Sequence, residues 1–206
     1  MESNSAPKVP STLYTPRLTL ILFSRSNPAH YACMLSCLNN ATAWSQMGDY
    51  GIRTKEQLDA LHDATRITSP IKLDRELIYL ISLTSHPEEL VGAVTLAQRS
   101  REIYPDIGWA LKEEFIGKGY ATEAAAEFLR ALRDEIGIRD ICTWPDEKNV
   151  PSNRVAEKLG FVEGGTVRVS DEGGKEAVVW ILPGMKGVGR GGISISFWGE
   201  DAGKET

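Results

Sequence analysis

The junction around Lys118 restricts the fold of this chain more than any other stretch of its sequence. Residues 107–111 are strand-forming, Gly117 and Gly119 bracket the lysine, and an amphipathic helical pattern follows over residues 122–135. The first N–H groups of a helix lack partners within the helix and lie at the positive end of its dipole. Because glycines let the backbone approach a ligand closely, the junction predicts an anion site of the kind that holds a pyrophosphate.

Taken alone, this glycine spacing is also typical of an ordinary tight turn between a strand and a helix. Two familiar phosphate motifs are excluded. A Walker loop needs Gly-Lys-Ser/Thr after four spacer residues, and a dinucleotide fingerprint needs a third glycine where Thr122 stands. The spacing therefore leaves two interpretations, a phosphate cradle of another type and a simple turn.

The whole chain alternates strand-forming and helix-forming segments, which predicts one α/β (α+β) domain with a single mixed, mostly antiparallel sheet flanked by helices. Helices are expected from Asn27-Pro28, from a capping box at Thr54 and Gln57, and over residues 122–135 and 152–159. Strands are expected at residues 18–23, 77–83, 90–97, 107–111 and 138–144, with a hairpin of residues 161–169 and 176–182. We also expect a turn at residues 87–89.

The two ends of the chain differ in composition from its middle. Residues 1–12 predict a flexible arm, residues 13–183 the folded domain, and residues 184–206 a glycine-rich tail that is either mobile or an added edge strand. The tail carries an apolar patch at residues 193–198, and an exposed apolar patch can bind a partner. A partner-binding role for the tail is therefore one alternative function.

Charge and cysteine content argue against several classes of function. The net charge of −5 gives no electrostatic reason to expect nucleic acid or an anionic membrane as a partner. No secretory signal pattern and no apolar run of about 18 residues is present. The three cysteines are an odd, sparse set, which favours free thiols and a reducing compartment, so we expect a cytoplasmic protein.

Three motifs in order along the chain resemble the GNAT N-acetyltransferase superfamily. Residues 116–124 (Ile-Gly-Lys-Gly-Tyr-Ala-Thr-Glu-Ala) resemble its acetyl-coenzyme A loop, although Ile116 replaces the usual Arg or Gln. Residues 149–161 resemble the family's Asn-x-x-Ser helix that ends in Lys-Leu-Gly-Phe. Residues 15–20 (Thr-Pro-Arg-Leu-Thr-Leu) resemble the first strand of the Rim-type branch, which includes ribosomal-protein N-terminal acetyltransferases.

This resemblance implies a fold in which two central strands, here residues 107–111 and 138–144, splay apart and hold acetyl-coenzyme A between them. Pantetheine would pair with exposed backbone of the first strand, Asn149 would bind the pantetheine amide, and the pyrophosphate would lie on the loop. The implied cofactor residues are Trp109, Ala110, Leu111, Ile116, Gly117, Lys118, Gly119, Tyr120, Ala121, Thr122, Asn149, Ser152 and Lys158. No metal is expected.

The resemblance also implies direct attack of an acceptor amine on the thioester. The N–H of Leu111 would hold the developing oxyanion. Many relatives protonate the thiolate with a tyrosine where this chain has Ala156, which leaves Ser152 as the donor, or alternatively as a helix cap. Asp106 is the first choice for the base, ahead of Glu102 and Tyr104, and is alternatively a solvated carboxylate.

The sequence leaves alternatives for the function, the acceptor and the oligomeric state. A non-catalytic coenzyme A-binding module is an alternative, because Ile116 and Ala156 depart from the family pattern. We expect the acceptor to be a protein N-terminus or a small-molecule amine, and the chain to be a monomer or homodimer. Trp44 and Trp109 are candidates for the walls of the acceptor pocket. The helix residues His30, Cys33 and Cys37 share one face, which suits a core position better than a metal site that lacks a fourth ligand.

Overall fold

The computed structural model describes residues 8–67, 73 and 75–199, and its framework is one mixed sheet. The strand order is β1-β2-β3-β4-β5-β6-β8-β7-β9. Neighbours pair antiparallel except for β5 with β6 and β7 with β9, which are parallel. The strands are β1 Thr12–Tyr14, β2 Leu18–Leu22, β3 Leu77–Leu83, β4 His86–Ala97, β5 Asp106–Leu111, β6 Cys142–Thr143, β7 Val162–Val169, β8 Lys175–Ile181 and β9 Gly189–Ile195.

Helices cover both faces of the sheet. They are α1 Pro28–Leu38, α2 Ala41–Met47, α3 Lys55–Ala64, α4 Tyr120–Ala131 and α5 Val150–Lys158. The predicted starts of α1 and α3 are confirmed, because the Asn27 side chain caps α1 and Thr54 with Gln57 forms a complete capping box. None of the helices in the described ranges is both long and apolar enough to cross a bilayer.

The alternation of side chains along β3 separates two cores. Tyr79 and its neighbours two residues away pack with Phe128 of α4 on one face of the sheet. Ile78 and Leu80 pack with α1 and α3 on the other face. A third cluster lies between the β7–β8 hairpin and the tail. The single mixed sheet with helices on both faces agrees with the predicted fold class.

Two element predictions were wrong, and one helix was missed. The predicted turn at residues 87–89 lies inside β4, because the chain reverses at Thr84 and Ser85 and the extra residues are absorbed in a bulge opposite Ser82. β6 has two residues instead of the seven predicted at 138–144, since it pairs with β5 at one position only. Helix α2 was not predicted.

The glycine-rich tail forms a strand at the edge of the sheet. β9 pairs in parallel with β7, and Gly165 faces Gly189 so closely that a Cβ on Gly165 would lie 2.0 Å from the Gly189 carbonyl oxygen. The Ser170 hydroxyl donates to the Ile195 carbonyl at 3.1 Å. The predicted arm falls partly on residues 1–7, which lie outside the described residues, while β1 begins at Thr12.

Candidate active site

Strands β5 and β6 separate immediately after they meet. They pair at Asp106 and Cys142, where the Cys142 N–H donates to the Pro105 carbonyl at 2.9 Å. β6 pairs with β8 along its other edge, and after Asp106 the strand β5 pairs with β4 alone among the described strands. The divergence opens a wedge along the second half of β5.

The wedge exposes backbone hydrogen-bonding groups of β5. The Lys112 N–H donates to the Val91 carbonyl at 2.9 Å. This bond determines which residues of β5 form backbone hydrogen bonds with β4. Because bonded and non-bonded pairs alternate in an antiparallel ladder, Trp109 and Leu111 direct their N–H and C=O groups away from β4. They therefore face the wedge. Gly92, opposite Leu111, permits this close packing, since a Cβ there would lie 2.5 Å from the Ala110 carbonyl oxygen.

A cavity of about 420 Å³, which we name the splay cleft, occupies the wedge. It is bounded by β5, the loop before α4 and the start of α5. Its volume is in the range of small-molecule sites. The predicted cofactor residues that line it are Trp109, Ala110, Leu111, Ile116, Gly117, Gly119, Ala121, Thr122, Asn149, Ser152 and Lys158.

Two predicted cofactor residues, Lys118 and Tyr120, do not line the splay cleft. The Lys118 Nζ lies 4.9 Å from the centre of the Phe115 ring, and the Tyr120 ring lies under the Arg17 guanidinium at 4.8 Å. Arg17 also donates to the Lys118 carbonyl at 3.1 Å and forms an ion pair with Glu123 at 2.6 Å. The contacts of Arg17, the residue before β2, hold the loop and the start of α4 in place, and the side chains of Lys118 and Tyr120 pack outside the splay cleft.

The loop presents uncapped N–H groups to the splay cleft. Gly117 and Gly119 have φ of 81° and 80°, in the left-handed region that glycine adopts without strain. Gly119 is the N-cap residue of α4 and has no side chain to cap the helix, while the first helical bond runs from the Glu123 N–H to the Gly119 carbonyl. The N–H groups of the first turn therefore remain available to an anion.

A second cavity, of about 130 Å³, adjoins the splay cleft, and we name it the acidic cleft. Its carboxylates are Asp106, Asp146, Glu147, Glu172 and Glu176, accompanied by the cations Arg99 and Lys175. The two clefts share Gln46, Met47, Trp109, Asn149 and Ser152. A molecule in one cleft can therefore contact a molecule in the other near these residues.

Ser152 lies where the two clefts meet. Its hydroxyl oxygen accepts a hydrogen bond from the Trp109 Nε1 at 3.2 Å, which leaves the hydroxyl proton free to be donated. The interpretation of Ser152 as the helix cap was wrong. Asn149 is the cap, because its Oδ1 accepts from the Ser152 N–H at 3.1 Å and α5 begins at Val150.

Asp106 lies at the base of the wedge, where its carboxylate lines the acidic cleft. Its side chain is 9% exposed and pairs with the Arg99 Nε at 3.0 Å, so the alternative of a solvated carboxylate is wrong. Burial raises the pKa of Asp106 above its usual range, and the charge of Arg99 opposes that shift. A carboxyl group with a raised pKa is better suited to accept a proton than a solvated one.

The chain segments around the acidic cleft include residues that carry no local sequence signal. The Tyr50 and Phe197 rings stack at 3.7 Å, and Phe197 lines the cleft together with Met47. The Asp171 carboxylate accepts from the Phe197 N–H at 2.5 Å, and Arg99 donates to the Phe197 carbonyl. The tail therefore closes one side of the acidic cleft.

Other candidates lie away from both clefts. Trp44 is 43% exposed and packs against the Arg53 guanidinium, so only Trp109 of the two tryptophans lines a cleft. Tyr104 donates its hydroxyl proton to the Lys186 carbonyl. Within the described ranges no group of three or more potential ligands is placed to hold a metal ion, and the His30 Nδ1 accepts from the Ser24 N–H at 3.0 Å.

Sequence comparison relates this chain to known proteins. A family model described as "Acetyltransferase (GNAT) domain" matches residues 17–162. The uncharacterized N-acetyltransferase YnaD of Bacillus subtilis is 32% identical over 72 residues. That stretch covers 35% of this chain and 42% of YnaD.

Structural comparison agrees with the fold derived above. An acetyltransferase from Agrobacterium tumefaciens aligns with a TM-score of 0.66 and 21% identity, covering 88% of this chain and 99% of that one. AAC(6′)-Ib, in complex with parmomycin and acetyl-CoA, aligns with a TM-score of 0.59 and 19% identity, covering 80% of this chain and 92% of that one. At these identities the likeness establishes the fold.

Proposed function

The chain belongs to the GNAT acetyltransferase family, and from that premise we propose that it transfers an acetyl group from acetyl-coenzyme A directly to a primary amine. The observation that carries the proposal is the open backbone edge of β5 at Trp109 and Leu111, beside the uncapped start of α4. The edge suits an extended pantetheine chain, and the helix start suits a pyrophosphate. AAC(6′)-Ib, a protein of the same fold, binds acetyl-CoA.

The residues of the splay cleft would hold the cofactor in three places. The N–H groups of the loop at residues 117–122 would bind the pyrophosphate, and Lys158 would add a positive charge near it. Trp109 and Leu111 would bond to the pantetheine amides through their backbone groups. In the part of the chain that the structure describes, the side chain of Asn149 hydrogen-bonds through its Oδ1, so its Nδ2 is available to a cofactor carbonyl.

Acetyl-coenzyme A supplies the acetyl group as a thioester. The Leu111 N–H would donate to the carbonyl oxygen as negative charge develops on it. Asp106 would accept the proton that the amine loses, directly or through one water, and Ser152 would give its proton to the departing sulfur. The C–N bond forms as the C–S bond breaks, and Ser152 recovers its proton from solvent.

The acidic cleft supports an amine as the acceptor. Its carboxylates outnumber its cations, which favours the approach of a protonated amine. AAC(6′)-Ib, an aminoglycoside acetyltransferase of this fold, binds parmomycin together with acetyl-CoA. The Rim-type resemblance at residues 15–20 favours a protein N-terminus instead, and we propose a primary amine of either kind as the acceptor. We further propose that the enzyme is a monomer or homodimer in the cytoplasm. A reducing compartment suits the free thiols of Cys33, Cys37 and Cys142.

The role of Asp106 is tested with Asp106→Asn. If Asp106 accepts the proton, kcat of the variant should fall at least tenfold, and the acidic limb of its pH–rate profile should disappear, because the residue that titrates there is gone. The affinity for acetyl-CoA serves as the control and should be unchanged. A full acidic limb in the variant would assign the proton acceptor elsewhere.

The proposed function is tested by acetylation of a broad panel of primary amines and peptides with free N-termini, with release of coenzyme A as the readout. Acetylation of any member above the rate of hydrolysis supports the enzyme. If the protein binds acetyl-CoA and acetylates none of them, the non-catalytic module is the better account. Ile116, 36% exposed at the rim of the splay cleft, and the buried Ala156 are the observations that favour that alternative.

A further inference from the structure

An apolar cavity lies between the sheet and helices α1 and α3, on the face opposite α4. We name it the side chamber, and its volume is about 170 Å³. Its walls are mainly hydrophobic and include Met34, Leu38, Leu58, Leu61, Ile78 and Ala93. A buried apolar cavity of about 150 Å³ is large enough for a benzene ring. The side chamber is therefore the size of one aromatic ring or a short branched alkyl group.

His62 is a buried polar residue of this mainly apolar wall, which also includes the charged residues Arg66, Glu76 and Arg99. The residue is 6% exposed, and neither ring nitrogen has a hydrogen-bond partner among the described residues. Its ring packs edge-on against Phe23 at 5.3 Å. A buried polar group without a partner is costly, and such a group in a native structure requires an explanation. A ligand that occupies the side chamber would supply the missing partner.

Burial also fixes the chemical form of His62. It lowers the pKa of the imidazole to about 4, so the ring is neutral near pH 7. A neutral imidazole has one donor and one acceptor nitrogen. It therefore suits a hydroxyl or an amide on the ligand better than a charged group.

The side chamber adjoins the acidic cleft. Both cavities are lined by Met47, Tyr50, Arg99, Gly108, Trp109 and Phe197. The proposed reaction places the acceptor amine in the acidic cleft, next to Ser152. A substituent on that amine can thus extend past Trp109 into the side chamber.

We propose that the side chamber binds the apolar part of the acceptor, so that the preferred substrates are primary amines that carry an aromatic ring or an alkyl group of similar size. A hydroxyl or amide at the far end of that group would bond to His62. This inference rests on the proposed function. A longer acyl chain on the donor is the competing occupant, because the side chamber also meets the splay cleft at Cys37 and Ala110. The acceptor is favoured because an acyl chain offers His62 no hydrogen bond.

Kinetics with matched amines tests the proposal, with tyramine, phenethylamine, ethylamine and putrescine as probes at saturating acetyl-CoA. We expect kcat/KM for phenethylamine to exceed that for ethylamine at least tenfold, with tyramine better still. The variant His62→Phe keeps a ring at this position and removes both nitrogens. It should abolish the preference for tyramine over phenethylamine and leave the rate with ethylamine unchanged. Equal values across the panel would overturn the proposal.

A second variant fills the chamber. Ala93→Leu places a larger side chain in the wall, and we expect a loss of at least tenfold in kcat/KM for phenethylamine but not for ethylamine. Circular dichroism serves as the control that the variant folds. If the variant instead changes the preference among acetyl-, butyryl- and hexanoyl-coenzyme A and leaves the amine preference intact, the chamber belongs to the donor and the proposal is wrong.

Binding without turnover separates this inference from the proposed function. Calorimetric titration with tyramine in the presence of coenzyme A should give saturable binding that His62→Phe weakens at least fivefold. Failure of coenzyme A to bind would remove the proposed function, and the same titration without coenzyme A would then decide whether the chamber takes tyramine. No binding of tyramine in either titration overturns the inference.

Discussion

Ser152 illustrates how a single hydroxyl can be prepared for proton donation. Its oxygen is occupied by the Trp109 Nε1 at 3.2 Å, and its backbone N–H is occupied by Asn149. The hydroxyl proton is the group that remains to act on a molecule in the splay cleft. Because Asn149 caps α5, removal of the Ser152 hydroxyl leaves the helix start intact.

We therefore expect Ser152→Ala to slow turnover by more than tenfold, which corresponds to about 1.4 kcal/mol of lost transition-state stabilisation. The dissociation constant for acetyl-CoA should change little, since the proposed site would hold the cofactor mainly through backbone groups. Single-turnover kinetics and calorimetry measure the two effects separately. Ser152→Thr retains a hydroxyl and should recover part of the rate. An unaltered rate in the alanine variant would reduce Ser152 to a partner of Trp109.

The burial of His62 makes the stability of the folded protein depend on pH. Its pKa falls from 6.5 to about 4 on folding because burial disfavours the charged ring. Between these values the unfolded chain binds more protons, so stability rises with pH through this window. At pH 5 the loss relative to pH 7.5 is about 2 kcal/mol from this group.

Urea unfolding at pH 7.5 and pH 5 measures this effect. His62→Phe is the control, because the variant should lose the contribution of His62 to the pH dependence of stability. It should keep the contribution of His30, since burial also lowers the pKa of that residue. An equal pH dependence in the wild type and the variant would show that His62 is not buried in its neutral form.

At the scale of the element, left-handed glycines flank the helical stretch that α4 begins. Gly117 lies in the loop before α4 with φ of 81°, and Gly137, with φ of 87°, ends the π-helical turn Leu132–Ile136 that follows α4. A Cβ on either residue would meet no atom within 4 Å. Alanine would therefore introduce a similar backbone strain at the two positions, but only Gly117 lines the splay cleft.

We expect Gly117→Ala and Gly137→Ala to lose similar stability, about 1 kcal/mol each, because alanine is strained at positive φ. Gly117→Ala alone should weaken the binding of acetyl-CoA, by at least fivefold, since the loop must keep its shape to present its N–H groups. Thermal unfolding and calorimetry of the pair provide the comparison. Equal cofactor affinity in both variants would contradict the assignment of the loop.

Most elements could be predicted from local pattern. The capping box at Thr54 and Gln57 and the apolar run of β3 act over a few residues, and the predicted elements match the observed ones there. The prediction failed where distant pairing decides. Pro87 is typical of a turn, but it lies in β4 because the register against β3 slips at Ser82 and leaves this residue outside the regular ladder.

At the scale of the whole molecule, the chemistry depends on contacts between segments far apart in sequence. The loop at residues 117–122 could be predicted from its glycines, and the family resemblance predicted that it lies close to Asn149 and Ser152. The contributions of Tyr50 and Phe197 could not be predicted, because each acts only after the tail has crossed β7 and packed on the segment before α3. The apolar residues of the tail pack on the protein's own core, with Ile195 buried and Phe197 and Trp198 half-buried.

The central claim is that the wedge between β5 and β6 is an acetyl-coenzyme A site. Calorimetric titration of the protein with coenzyme A tests it most directly. We predict saturable binding of one molecule per chain with a dissociation constant between about 1 μM and 1 mM, as is common for enzyme substrates. The absence of binding at millimolar coenzyme A, in protein shown to be folded, would contradict the account.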